Sequence, residues 1–286
     1  MNEAITIKRG TELELDIESL AYGGMGLARL ENFVIFVKYA IPGQRVLARI
    51  YKKRKGFAEA QVLNILVESP NAIDVRCKHY WICSKLQSLS YDQQIQEKSA
   101  QVEDAFIRLG GFSDFKLDKV KKADLIYHYR SKMEFTFSPN RWVLESEPEG
   151  VDKSFALGLH IPGRFDKILN INNCHIQPEI GNKILEVVRK VCLGNPELRP
   201  YDPRSHIGFL RFLMLRFGVN TGDLMVNVVT SYHDIDKLSL LTDKLLDKFP
   251  EITSLVNNVN TRKADVAFGE YETLLYGKPF IQERIS

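Results

Sequence analysis

The chain has 286 residues, of which 44% are hydrophobic and 26% charged, so a sizeable core is available and disorder as a general state is excluded. A formal net charge of +3 excludes a polycation of the histone type, and any nucleic-acid binding must come from local clusters of basic residues. No run of about 18 apolar residues occurs, and residues 1–10 lack the apolar core of a signal peptide; a soluble, cytoplasmic protein without membrane partners is expected.

Residues 12–18 read Glu-Leu-Glu-Leu-Asp-Ile-Glu, the period-two alternation of a half-buried strand. A glycine-rich turn follows at Gly23-Gly24-Met25-Gly26, then the apolar run Phe33-Val34-Ile35-Phe36-Val37 and the turn Ile41-Pro42-Gly43. Two further strands, 45–51 and 58–65, flank Lys52-Lys53-Arg54-Lys55-Gly56. Short strands separated by glycine turns, with no helix among them, predict a small OB-like β-barrel over residues 1–68. Residues 69–112 read as a cysteine-bearing connector followed by one helix over 91–109. Ile95, Val102, Ala105, Phe106 and Leu109 lie on one face of that helix, and Gly110-Gly111 closes it. Residues 113–286 predict an α+β domain, with strands over 130–138, 155–160, 208–217, 223–231 and 252–260 and amphipathic helices over 178–192 and 235–249.

Four cations at one hairpin tip, Lys52, Lys53, Arg54 and Lys55, can track a phosphate backbone, while Tyr51 and Phe57 beside them can stack on bases. A hairpin kept soluble by charge is the alternative. Arg130 and Lys132, two residues apart, place two cations on one strand face. Arg204, His206, Arg211 and Arg216 interleave with Phe209, Phe212 and Phe217, a pattern that suits single-stranded RNA and equally a sheet with one aromatic core face. Cys77, Cys83 and Cys174 are candidate metal ligands, although zinc and iron–sulfur sites usually need four; Cys192 sits on the core stripe of a helix. The Gly23–Gly26 turn leads into a strand rather than a helix, so it is not a dinucleotide fingerprint. No catalytic constellation is legible.

Tyr129-Arg130-Ser131-Lys132-Met133-Glu134-Phe135 closely resembles the Tyr-Arg-Asn-Lys-Met-Glu-Phe signature of RNA uracil-C5 methyltransferases. Leu157-Gly158-Leu159-His160 through Phe165, Asn173-Cys174-His175-Ile176-Gln177-Pro178, Gly208-Phe209-Leu210-Arg211 and Thr221-Gly222-Asp223 continue it in order. Tyr91-Asp92-Gln93-Gln94 matches ahead of them, and residues 1–68 resemble the TRAM domain. The TRAM-like barrel and the cysteines make the chain more similar to the 23S rRNA branch than to the tRNA branch.

This resemblance implies three parts: an RNA-binding barrel, a central domain and a Rossmann-like S-adenosylmethionine domain. The members' glycine-rich cofactor loop, Asp-Pro-Pro-Arg segment and nucleophilic cysteine find no counterpart among these residues. The expectation is therefore an OB-like barrel and an α+β domain with the Rossmann-like methyltransferase domain missing. The chain would then be an RNA-recognition portion, inactive alone, with a catalytic domain encoded separately; the alternative is a stand-alone RNA-binding adaptor or remnant. Neither catalytic nor S-adenosylmethionine-binding residues are assigned. Cluster-bearing relatives read Cys-x5-Cys-Gly-Gly-Cys, whereas Cys83 here precedes Ser84-Lys85-Leu86, so an iron–sulfur cluster on Cys77, Cys83 and Cys174 would lack one ligand. The implied partner is RNA, of the 23S rRNA type.

Overall fold

A computed structural model describes residues 7–285. It divides into two compact units, the first ending at Asp124 and the second beginning at Leu125, and each is described by itself.

The first unit opens with β1 (Glu12–Asp16), β2 (Ser19–Ala21), β3 (Met25–Leu30), β4 (Phe33–Lys38), β5 (Arg45–Lys53) and β6 (Phe57–Val67). They form a six-stranded sheet in the order β1-β5-β6-β4-β3-β2. Alternation decides which side chains turn inward: Leu13 and Leu15 of β1 are buried, whereas Glu12 and Glu14 face outward and pair across the strand with Arg49 and Arg45 at 2.7 and 2.8 Å. The core combines Ile17, Ile35, Val37, Val46 and Ile50 with Ala28, Ala48, Ala58 and Ala60. Small residues in this number allow a few strands to curl tightly, because larger side chains would overfill so narrow an interior. Gly26 serves the same end: a Cβ there would lie 2.8 Å from Ile17 Cγ2 and 3.0 Å from the Ala40 Cβ.

The unit continues through α1 (Tyr80–Cys83) to α2 (Tyr91–Asp104), whose N-terminus is capped by the Ser90 side chain accepting from the Gln93 N–H. The helix expected over 91–109 is α-helical only to Asp104; residues Ala105–Leu109 widen into a π-helical turn. Its apolar stripe is not a core face either, since Val102, Phe106 and Leu109 are all exposed. Residues 69–112 thus fall in the first unit together with the barrel.

The second unit comprises β7 (Lys132–Ser138), β8 (Arg141–Trp142), β9 (Ala156–His160), β10 (Ile168–Asn170), α3 (Glu179–Gly194), β11 (Leu210–Phe217), β12 (Leu224–Thr230), α4 (Ile235–Lys248), β13 (Ser254–Val259) and β14 (Tyr271–Gly277). Its eight-stranded sheet runs β14-β13-β12-β11-β7-β9-β10-β8. The expected α+β class needs correction here, because the sheet is mixed. β12 and β13 are parallel neighbours joined through α4, and β8 pairs parallel with β10. The physical reason lies in β13, whose six residues are all buried, as expected of a parallel strand covered on both faces. Helices α3 and α4 pack together. Gly181 of α3 sits against the Phe217 ring, which projects from the same sheet face as Leu213 and Leu215. The opposite face carries Lys132, Glu134 and Arg216, with Lys132 and Arg216 in register. Among the described residues no helix is long and apolar enough to cross a membrane.

Candidate nucleic-acid interface

In the first unit the β5–β6 hairpin presents Lys53, Arg54 and Lys55 as exposed side chains, its turn closed by the Arg54 N–H donating to the Phe57 carbonyl at 2.8 Å. Lys52 differs from its neighbours. It is only half exposed and forms an ion pair with Glu59, whose other carboxylate oxygen accepts from the Tyr51 hydroxyl at 2.7 Å. The hydrogen bonds from Lys52 and then Tyr51 hold the Glu59 carboxyl below its ordinary value of 4.5. Burial, followed by the bond to Glu59, pushes the Tyr51 hydroxyl well above the usual tyrosine range.

Lys38 Nζ lies 4.5 Å from the centre of the Tyr51 ring. Beside it, Tyr39 adopts a left-handed backbone (φ 65°) and meets Trp81 edge-on at 6.5 Å. These two rings, Tyr80 and Gln61 line a shallow cavity of about 330 Å³. Rings next to cations on a barrel form a stacking platform for single-stranded nucleic acid. Since the folded Glu59 carboxyl titrates lower than an unfolded one, its contribution to stability is complete above pH 4.5 and is lost as pH falls through the folded value. Glu59→Gln is therefore expected to flatten the acid limb of the barrel's stability–pH curve, measured by urea titration at successive pH values.

In the second unit Lys132 is exposed on β7 and lies 3.4 Å from Glu134, an open surface pair worth about 0–1 kcal/mol that leaves the ammonium free to turn to a phosphate. Arg130 stands just ahead of the strand. Its N–H donates to the Ile176 carbonyl at 2.9 Å and its Nε to the Lys132 carbonyl at 3.1 Å, and its side chain is exposed.

Arg211 corrects the expectation of direct RNA contact. It is 1% exposed, and its two terminal nitrogens donate to the carbonyls of Asn260, Arg262 and Ala264 at 2.8, 2.6 and 2.6 Å. Its guanidinium carbon sits 4.4 Å from the centre of the Tyr201 ring. The side chain fastens the 260–265 loop from beneath instead of reaching solvent.

That loop forms one wall of a cleft of about 670 Å³. Thr261 and Lys263 come from the loop, Arg199, Tyr201 and His206 from the segment before β11, Phe209 from its threshold, and Tyr232 and Lys237 from the β12–α4 connection. The Phe209 and Tyr232 rings meet at 4.9 Å, inclined by 47°, and Lys237 Nζ lies 5.0 Å from the Tyr232 ring centre while donating to its hydroxyl at 2.9 Å. Tyr201 hydrogen-bonds His206 Nδ1 at 2.9 Å. Gly208 is obligatory at this point, with φ 121° and an added Cβ only 2.2 Å from the Pro200 carbonyl oxygen. Sequence reasoning marked the basic–aromatic alternation around Phe209 but missed Tyr201, Tyr232 and Lys237, which lie far apart along the chain and meet only through β11 and β12.

The cysteines expected as metal ligands fall in different units, Cys77 and Cys83 in the first and Cys174 in the second. Cys77 is buried with its N–H donating to the Gln87 side chain, Cys83 is exposed, and Cys174 is buried beside Asn182 in the second unit. Cys192, inside the helical core, has its thiol pushed up to about 12 by burial, the opposite of a nucleophile. The described residues do bring a group of potential metal ligands within reach of one another, His128, His175 and Glu179, and it contains no cysteine. An iron–sulfur cluster finds no support in the group of potential ligands inside the second unit.

Comparison with known proteins places this geometry in context. Residues 7–63 match the TRAM domain family. The chain is 36% identical to an uncharacterized RNA methyltransferase of Porphyromonas gingivalis, covering 95% of this chain and 60% of that protein. It is 37% identical to one of Chlorobaculum tepidum over 85% of this chain and 52% of that protein, and 30% identical to one of Bacillus cereus over 98% and 58%. The chain therefore spans about 60% or less of the length of these relatives. Among solved structures, the tRNA (uracil-54, C5)-methyltransferase of Pyrococcus abyssi, in complex with S-adenosyl-L-homocysteine, matches with a TM-score of 0.67 and 23% identity over 95% of this chain and 57% of that one.

The expectation of a fold defined by a missing methyltransferase domain is overturned by this likeness, since 95% of the chain takes the fold of a methyltransferase structure over 57% of that structure's length. The reading as an inactive portion lacking its methyl-donor site, and with it that of a stand-alone RNA-binding adaptor or remnant without enzymatic activity, likewise finds no support.

Proposed function

We propose that this protein serves S-adenosylmethionine-dependent methylation of uridine C5 in RNA, with 23S rRNA as the substrate, and that the barrel tip and the Tyr201–Tyr232–Lys237 cleft are its RNA-binding surfaces. The observation that carries the reading is the cleft: clustered aromatic rings flanked by three cations, Arg199, Lys237 and Lys263, on a wall fastened by a buried arginine. Splayed bases of single-stranded RNA stack on such rings while cations take the phosphates, whereas a stacked duplex offers neither its ring faces nor its reactive carbons. S-adenosylmethionine, when bound, supplies the methyl group; the residues named here bind and orient the RNA. Lys53, Arg54, Lys55, Arg130 and Lys132 are assigned to phosphates, and Arg211 acts by positioning the loop that carries Thr261 and Lys263.

Two measurements test this reading. Tyr232→Ala or Lys237→Ala should weaken binding of a single-stranded uridine-containing rRNA segment by roughly tenfold, in keeping with about 1–3 kcal/mol per stacked base, and should barely change duplex binding. Equal losses on both would remove the cleft from the argument. Disrupting the gene should eliminate one 5-methyluridine from 23S rRNA, read by mass spectrometry of digested RNA. Loss confined to tRNA, or no loss, would overturn the rRNA assignment.

A further inference from the structure

His128 and His175 are brought together by backbone pairing within the second unit. The His128 N–H donates to the His175 carbonyl at 2.9 Å, and the Arg130 N–H to the Ile176 carbonyl at 2.9 Å, so the two segments run side by side into the N-terminus of α3. His128 has a left-handed backbone, φ 57°, which a non-glycine residue adopts only when its surroundings hold it there. Its Nδ1 donates to the Gln177 carbonyl at 2.8 Å, which makes Nε2 the ring nitrogen left to bind a metal. That Nε2 faces Glu179 Oε1 at 3.9 Å.

The segment beneath is rigid. The Asn182 side chain accepts from the Cys174 N–H at 2.9 Å and from Gln177 Nε2 at 2.7 Å, and donates to Asn173 at 2.8 Å. His175 Nδ1 is buried without a hydrogen-bond partner. A buried imidazole nitrogen left in this state is costly, and a metal ion is one of the few things that meets the cost.

One ligand atom from each of His128, His175 and Glu179 lies within 4.8 Å of the other two. We infer that these three side chains form a binding site for a divalent transition-metal ion of the zinc class, with two imidazole nitrogens, one carboxylate oxygen and an open position for water. The donor set fits: two nitrogens and a carboxylate suit zinc, and the backbone carbonyl behind His128 is the usual partner of a metal-ligating histidine. Closing ligand distances of this kind to those of a tetrahedral site needs about an ångström of motion. Glu179 can supply it, being 62% exposed in the first turn of α3. The bland alternative is a helix-end contact between His128 and Glu179 with no ion.

Cobalt titration of the untagged chain, after chelator treatment and dialysis, separates these readings. The expected result is one Co²⁺ per chain, giving weak visible bands without an intense thiolate-to-cobalt charge-transfer band, and displaced by Zn²⁺. His128→Asn, which preserves the left-handed backbone, and Glu179→Gln, an exposed change that leaves the fold intact, should each weaken binding at least roughly tenfold. Circular dichroism of the metal-free variants checks folding, and should His128→Asn fail to fold, Glu179→Gln carries the test alone. No saturable binding, a thiolate charge-transfer band, or affinity unchanged in Glu179→Gln would each overturn the site.

Discussion

Replacing Arg211 with alanine is expected to lower the thermal midpoint of the second unit by roughly 10 °C and to abolish tight RNA binding at the cleft together with it. Three carbonyls, of Asn260, Arg262 and Ala264, accept from this one guanidinium, and that of Ala264 accepts also from the Val266 N–H at 3.0 Å. With Arg211 at 1% exposure, water does not readily replace it. Each carbonyl left without a donor costs about 1–3 kcal/mol, and removing one partner of a buried charged network typically costs about 3–5 kcal/mol in total. The Tyr201 ring loses the cation against its face as well. Local bonds remain to hold part of the loop, since Asn260 Nδ2 donates to the Val266 carbonyl at 2.8 Å and Arg262 pairs with Glu270 at 2.7 Å. The loop should therefore loosen at Arg262–Ala264, displacing Lys263 from the cleft. Arg211→Lys separates charge from shape: one ammonium cannot span carbonyls from three residues as the planar fork does, so it should recover only a minority of the loss. Differential scanning calorimetry together with RNA titration checks both parts. Full RNA affinity in a destabilised Arg211→Ala protein would detach the loop from recognition.

The Arg211 case also shows what local pattern can and cannot reveal. Alternation made the strand legible, and the Glu-Leu-Glu-Leu run of β1 was legible for the same reason, because a half-buried strand writes its burial into every second residue. Whether an alternating cation faces water is decided by what folds over it, and for Arg211 that is a loop about fifty residues downstream. The parallel pairing of β12 with β13 was hidden likewise: Ser254–Val259 contains Asn257 and Asn258, whose polarity disguises a fully buried strand. The Asn257 amide nitrogen is satisfied inside, donating to the Val228 carbonyl and to Thr230 Oγ1 at 2.9 and 3.0 Å. The edge strand β14 went unread because most of its residues are exposed and no core-facing alternation marks it. His128, His175 and Glu179 belong to no spacing motif, as the first is separated from the others by β7–β10. The basic hairpin was the reverse case, since both its strands and its cations are contiguous. Its one concealed feature is the ion pair of Lys52 with Glu59, which needs the β5–β6 register to be seen.

That ion pair divides the hairpin's four cations unequally. Lys53→Ala/Arg54→Ala/Lys55→Ala is expected to reduce the slope of log affinity for single-stranded RNA against log salt by about 2, from three phosphate contacts at roughly 0.7 each. Because the three side chains are exposed and make no core contact, the variant should melt as the parent does. Lys52→Ala is expected to do the opposite. Its ammonium is already neutralised by Glu59, so few counterions are released through it and the slope should hardly move. The barrel should weaken instead, because the Glu59 carboxylate keeps only its bond from Tyr51. Replacing all four cations must then show the slope of the triple variant and the melting behaviour of Lys52→Ala. Filter binding across a salt series and thermal melts of the three proteins test the division. A slope unchanged in the triple variant would identify the tip as a solubilising hairpin, and a drop shared equally by Lys52 would mean that RNA pulls the ammonium away from Glu59 on binding.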